Sequence, residues 1–187
     1  MRPDYPTIAP VKKAKDLILS ADRNPQVRNS LFGCFAEVCR LPDRAFLLWD
    51  GCVRQSEKYS WPVGFKDKWK TLGYRGLKNA RRNGPPRTSF TVAGGKYRSG
   101  WELDHVYDRP TLRAASLPEE RHFTQSAGLI CMTPELHQER ERDIYLLWLL
   151  RGLSFLRFRY DPLGAFSGSQ PDAHGFVDFE NRDVFWP

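Results

Sequence analysis

Between residues 101 and 151 the side-chain pattern changes period twice, and this constrains the fold more than any other feature of the chain. Trp101-Glu102-Leu103-Asp104-His105-Val106 alternates apolar and polar residues, as a half-buried strand does. A loop follows, with Pro110, Pro118 and the charged run Glu119-Glu120-Arg121-His122. Gly128-Leu129-Ile130-Cys131-Met132 then reads as a second short strand. Thr133-Pro134-Glu135 is a helix start: a hydroxyl to cap, a proline for the first turn, and an acid for the positive end of the dipole. The spacing predicts one helix from there to about Arg151, ended by Gly152. Ile144, Leu147, Trp148 and Arg151 form its core-facing stripe, widened by Leu146 and Leu150.

The flanking segments predict an α+β fold in one compact unit. Residues 1–60 read as a helical N-terminal part, with an irregular arm over 1–10 and helices over Val11–Ala21 and Pro25–Arg40. Leu41-Pro42-Asp43 breaks the second helix, and 44–53 fits strand or helix equally. Residues 61–100 form a basic, turn-rich segment, with short helices over 66–82 and a strand over Ser89–Ala93. The core proper spans 101–152. Residues 153–187 are expected to be a C-terminal β extension, with a strand over Leu153–Tyr160, a loop to His174 and a short strand or hairpin to Phe185.

Charge narrows the partner class. Residues 66–98 hold ten Lys and Arg against one acid, Asp67, so this stretch carries +9 while the whole chain carries +7. A basic block of this kind suits a polyanion, and DNA is the expected partner, RNA remaining open. Arg75, Lys78, Arg81, Arg82 and Arg87 are the leading phosphate contacts, with Trp69 and Tyr74 as core or base-stacking residues. The alternative is a solvated face with no ligand. No apolar run is long enough to span a bilayer, and residues 1–10 hold no apolar signal segment, so a cytoplasmic protein with no membrane partner is expected. Cys34, Cys39, Cys52 and Cys131 then read as reduced, mostly buried thiols. A zinc site on Cys34 and Cys39 is a weaker alternative.

Asp104-His105 at the end of the first strand and His137 in the first turn of the helix carry the chemistry. Together they resemble the HNH nuclease family, also called His-Me finger or ββα-metal nucleases. In that family an Asp-His pair ends the first strand, an Asn-Leu pair opens the second element, and the last His falls nine residues after the Asn. Gly128 to His137 reproduces that spacing, with Leu129 at the Leu, while Gly128 replaces the Asn. No zinc-binding Cys pairs flank the motif. The resemblance implies a ββα-metal core at about 88–155 and hydrolysis of phosphodiester bonds in DNA. His105 would be the general base, and Asp104 and His137 would hold one divalent ion, Mg²⁺ first, with Mn²⁺, Ni²⁺ or Zn²⁺ as alternatives. The helix N-terminus would add to phosphate binding.

Ser126 or Gln125 would replace the bond lost with the Asn, and Gly128 itself and His122 are further candidate supports. His122 otherwise reads as a solvated loop residue, and Asp108 as a surface carboxylate, a brace for Arg109 or a water-mediated metal contact. Two other readings stay open. One is a non-catalytic nucleic-acid-binding protein with a degenerate HNH core. The other is an interaction protein whose basic block meets an acidic protein.

Overall fold

The computed structural model describes residues 9–43, 45–46, 90, 93–117, 122, 125–172, 175–177 and 184–185. They form an α+β fold of helices around a small antiparallel sheet. The element order is α1 (Ala9–Arg23), α2 (Pro25–Phe35), β1 (Cys39–Arg40), β2 (Ala45–Phe46), β3 (Glu102–His105), α3 (Arg109–Ala114), a 3₁₀ turn (Ser126–Gly128), β4 (Leu129–Met132), α4 (Pro134–Arg142), α5 (Ile144–Phe158) and β5 (Val184–Phe185). No helix among the described residues is long and apolar enough to cross a membrane.

The sheet order is β1-β4-β3, with both pairings antiparallel. Glu102 lies opposite Met132, Leu103 opposite Cys131, Asp104 opposite Ile130 and His105 opposite Leu129. Directly opposed residues share a face of the sheet. Ile130 and Met132 belong to the main core, which the helices build around Ile18, Trp148, Leu150 and Leu153. Leu129 and Cys131 instead join Phe90 and Trp101 in a smaller cluster, with Leu103 against it.

The first helix forms much as expected. The second stops at Phe35 rather than Arg40. Cys39 and Arg40 pair with β4 instead, and Val38 accepts from the Thr133 N–H at 2.9 Å, so sheet hydrogen bonds replace helical ones there. Of the expected strand over Ser89–Ala93, only Phe90 and Ala93 are described; Phe90 has helical backbone and Ala93 lies in a turn. The loop between β3 and β4 contains the unexpected α3, which Asp108 caps by accepting from the Thr111 N–H at 2.9 Å.

The helix after Thr133 is two helices. At Asp143 the backbone turns extended (φ −110°, ψ 103°), and the side chain caps the new start by accepting from the Tyr145 N–H at 2.8 Å. A short polar side chain competes well with the helical pattern at such a point. Ile144, at that start, is exposed rather than core. The expected strand over Leu153–Tyr160 is absent, since α5 continues to Phe158 and ends on Arg159 in the left-handed region (φ 58°). Gly152 is therefore no stop signal. A Cβ built there would run into the Ile18 side chain of α1, so this glycine lets α1 and α5 pack closely. The C-terminal β structure reduces, among the described residues, to a bridge between Tyr160 and Phe176 and the parallel pairing of β5 with β2.

The Gly152–Ile18 approach predicts that Gly152→Ala overpacks the α1–α5 interface and lowers stability by about 1–3 kcal/mol. Urea unfolding measures this, and adding Ile18→Ala should recover part of the loss. A neutral Gly152→Ala would show that the helices do not need the close approach.

Candidate functional site

Glu102 and Asp104 sit two residues apart on β3, on the face that α4 covers. α4 follows β4 after the single residue Thr133, whose hydroxyl caps it by accepting from the Leu136 N–H at 3.3 Å. His137 and Arg140, three residues apart on α4, both reach β3. His137 Nδ1 lies 3.0 Å from Glu102 Oε2, and His137 Nε2 lies 3.3 Å from Asp104 Oδ2. The imidazole thus stands between two carboxylates. A guanidinium nitrogen of Arg140 contacts the same oxygen, Asp104 Oδ2. That oxygen is sealed from solvent, and neither neighbouring nitrogen meets it along a hydrogen-bonding direction. Its partner Oδ1 accepts from the His105 N–H at 2.7 Å. The cluster opens gradually to solvent, the side chains being 11% exposed at Arg140, 15% at Asp104, 25% at His137 and 49% at Glu102.

The sequence-predicted residues divide accordingly. Asp104 and His137 come together. His105 lies on the opposite face of β3, the side of Leu103 and Leu129, and joins Asp104 through its backbone N–H. The end of β3 is held from two sides. Val106 N–H donates to the Gly128 carbonyl at 3.0 Å, and Arg151 Nε donates to the Val106 carbonyl at 2.8 Å. Gly128 is buried, and a Cβ there would come within 3.2 Å of the Tyr160 ring, so the packing favours glycine over a larger residue. Gln125 is buried and neither end of its amide finds a hydrogen-bond partner, so it does not take over the bond expected from the missing Asn. Ser126 is buried at the start of the 3₁₀ turn.

His122 is not a solvated loop residue. It is buried, with Nδ1 3.1 Å from the Tyr160 hydroxyl, and belongs to the core beside Gly175. Asp108 is the cap of α3. Arg75, Lys78, Arg81, Arg82 and Arg87, with Trp69, Tyr74 and His174, lie outside the described residues. Of the basic stretch, Lys96 and Arg98 are described and exposed. The Arg98 guanidinium lies 5.1 Å from the Trp101 ring centre, and Trp101 packs with Phe90, Leu129 and Cys131 on the face of the sheet away from Asp104.

Arg140 and Glu102 had escaped the sequence reading. The spacing of Arg140 from His137 and the strand alternation linking Glu102 to Asp104 were the available signals. A separate cavity of about 360 Å³ beside β1, at the other edge of the sheet, is lined by Phe32, Phe35, Arg40, Lys96 and Arg157, among others.

The donor set admits a particular kind of metal. Two ligands of an octahedral ion, each at about 2.1 Å, stand roughly 3.0 Å apart. The 3.3 Å between Asp104 Oδ2 and His137 Nε2 fits such a pair, and the otherwise poorly satisfied Oδ2 fits a ligand atom. No group of three or more His, Cys, Asp or Glu in ligand arrangement occurs among the described residues. A hydrated, exchangeable ion fits two protein donors, and a closed zinc site does not. Comparison of the chain with protein-family models, curated proteins and solved structures finds no match.

The Cys34–Cys39 alternative fares poorly. Cys34 is exposed and Cys39 buried, and burial pushes the Cys39 thiol up to about 12, with Arg40 pulling it down and Cys131 adding to the rise. Because its folded value lies above the unfolded one, its contribution to stability is full below the ordinary thiol range and falls as pH rises from about 9 toward 12. Alkaline unfolding should therefore be less steep in Cys39→Ala, and peptide mapping after maleimide treatment at neutral pH should show Cys34 labelled and Cys39 protected. Rapid labelling of Cys39 would refute its burial.

Proposed function

We propose that the chain is a divalent-metal-dependent endonuclease of HNH type that hydrolyses phosphodiester bonds in DNA. The observation carrying this reading is the 3.3 Å approach of Asp104 Oδ2 and His137 Nε2, with the other imidazole nitrogen beside Glu102. A carboxylate on the far nitrogen fixes ring orientation and strengthens the ligating nitrogen, as outer partners of metal-bound histidines do. The order of strand, strand and helix around the pair supports the resemblance, as does the nine-residue spacing from Gly128 to His137.

The chemistry assigns each residue a role. Asp104 and His137 would hold the ion, which when bound supplies Lewis acidity to the phosphate and stabilises the departing oxygen. His105 would take the proton from the attacking water, since neutral imidazole is a competent base near pH 7. In-line displacement needs the nucleophile and the leaving oxygen on opposite sides of phosphorus. Neighbouring strand residues facing opposite ways, as Asp104 and His105 do, suit that requirement at a strand end. The basic stretch, ending at Arg98, would bind the backbone.

The test is nicking of supercoiled plasmid in Mg²⁺, Mn²⁺, Ni²⁺ or EDTA. His105→Ala should lower the metal-dependent rate by about a hundredfold or more, and Asp104→Asn should abolish it. Undiminished cutting by His105→Ala removes that residue from the mechanism. Glu102→Gln should cost about ten- to a hundredfold in metal affinity or rate. DNA affinity should fall steeply with added salt. A salt-sensitive gel shift without metal-dependent nicking by the parent protein would favour the degenerate-core binding protein instead.

A further inference from the structure

Arg140 is the residue of the cluster that the proposed reaction leaves unused. Its side chain is 11% exposed, its guanidinium touches Asp104 Oδ2, and its Nε is buried with no hydrogen-bond partner among the described residues. The oxygen it touches is the one that faces His137 Nε2, so guanidinium and divalent ion would share one carboxylate atom. Two cations on a single oxygen in a poorly hydrated site repel strongly.

We propose, resting on the nuclease reading, that Arg140 is an internal cation competing with the divalent metal for Asp104, and that the scissile phosphate relieves the competition by drawing the guanidinium onto itself. Arg140 occupies the seat while no nucleic acid is bound. Arriving DNA offers two phosphate oxygens to a planar fork whose Nε has no hydrogen-bond partner among the described residues, a pairing that arginine makes well. Asp104 Oδ2 is then released to the metal. Metal and DNA therefore bind with positive coupling, and by linkage each tightens the other to the same degree.

Mn²⁺ binding to the full chain tests this by calorimetry, in a His105→Ala background that leaves DNA uncut, with Asp104→Asn as the baseline for metal held by DNA itself. A short DNA duplex should tighten Mn²⁺ binding at the site by about tenfold or more. Arg140→Gln should bind Mn²⁺ about tenfold tighter than its parent without DNA and lose most of the DNA effect. Arg140→Met, which keeps the apolar stem, provides a second variant, with circular dichroism as the check on folding, and the coupling in the parent needs no Arg140 variant at all. Equal Mn²⁺ affinity in parent and both variants, with no response to DNA, overturns the competition and leaves the nuclease reading standing. Tighter binding in the variants with undiminished coupling overturns the transfer of Arg140 to phosphate. Absence of any Mn²⁺ binding that depends on Asp104 and His137 overturns the nuclease reading and the competition together.

Discussion

The register of β3 on β4 is the constraint on which the rest of the site depends. With Asp104 opposite Ile130 and Glu102 opposite Met132, both carboxylates face the helical side of the sheet. A slip of one residue would put Leu103 and His105 there instead and turn the carboxylates toward Phe90 and Trp101. Because α4 begins one residue after β4, the same register also determines which strand residues His137 and Arg140 meet. The far end of β3 is secured independently. Arg151 of α5 holds the Val106 carbonyl, while its guanidinium lies over the rings of Tyr107 and Trp148. A buried guanidinium that both bonds a carbonyl and stacks on aromatics is a rigid strut, so the position of His105 depends on α5 as well as on the sheet.

Much of this was legible in the sequence wherever one face is buried and the other is wet. The alternation from Trp101 to Val106 and the Thr133-Pro134 helix start are signals of that kind, and both elements form. The reading failed where burial is uniform. Leu153 to Leu156 and Phe158 are buried in α5 with only Arg157 exposed between them, so the apparent alternation there marks no exposed face of a strand. Gly152 misled for a related reason. Its missing side chain serves the passage of Ile18 from α1, a long-range contact that no local rule contains. The break at Asp143 depends on a cap that could be read only once a second helix was suspected.

At the site itself, residue type outran geometry. An Asp-His pair and a downstream His suggested three residues acting together. The strand pleat separates His105 from the other two and brings in Glu102 and Arg140. Gly128 has a local cause, because the Tyr160 ring occupies the space beside it. A larger side chain there would need Tyr160 to shift, and that ring packs against Tyr107 and Phe176 in turn. Glycine at this position is thus tied to core packing.

Arg140 limits the kind of metal site that the proposed reading can place here. A carboxylate already matched by a guanidinium presents little net charge to a divalent ion, so high affinity in isolation is not what the cluster is built for. Two protein donors leave the other positions of an octahedral ion to water and phosphate oxygens. Under the proposed reading such an ion would be bound largely through its substrate, and the assembled site would exist chiefly when all three components meet. Lysine in place of Arg140 would supply the same charge as a compact, strongly hydrated point, without the planar fork that can form paired hydrogen bonds to a phosphate. Under the proposed reading, the positive charge beside Asp104 therefore protects an otherwise poorly satisfied carboxylate before substrate arrives, and becomes available to the phosphate at the moment the ion replaces it.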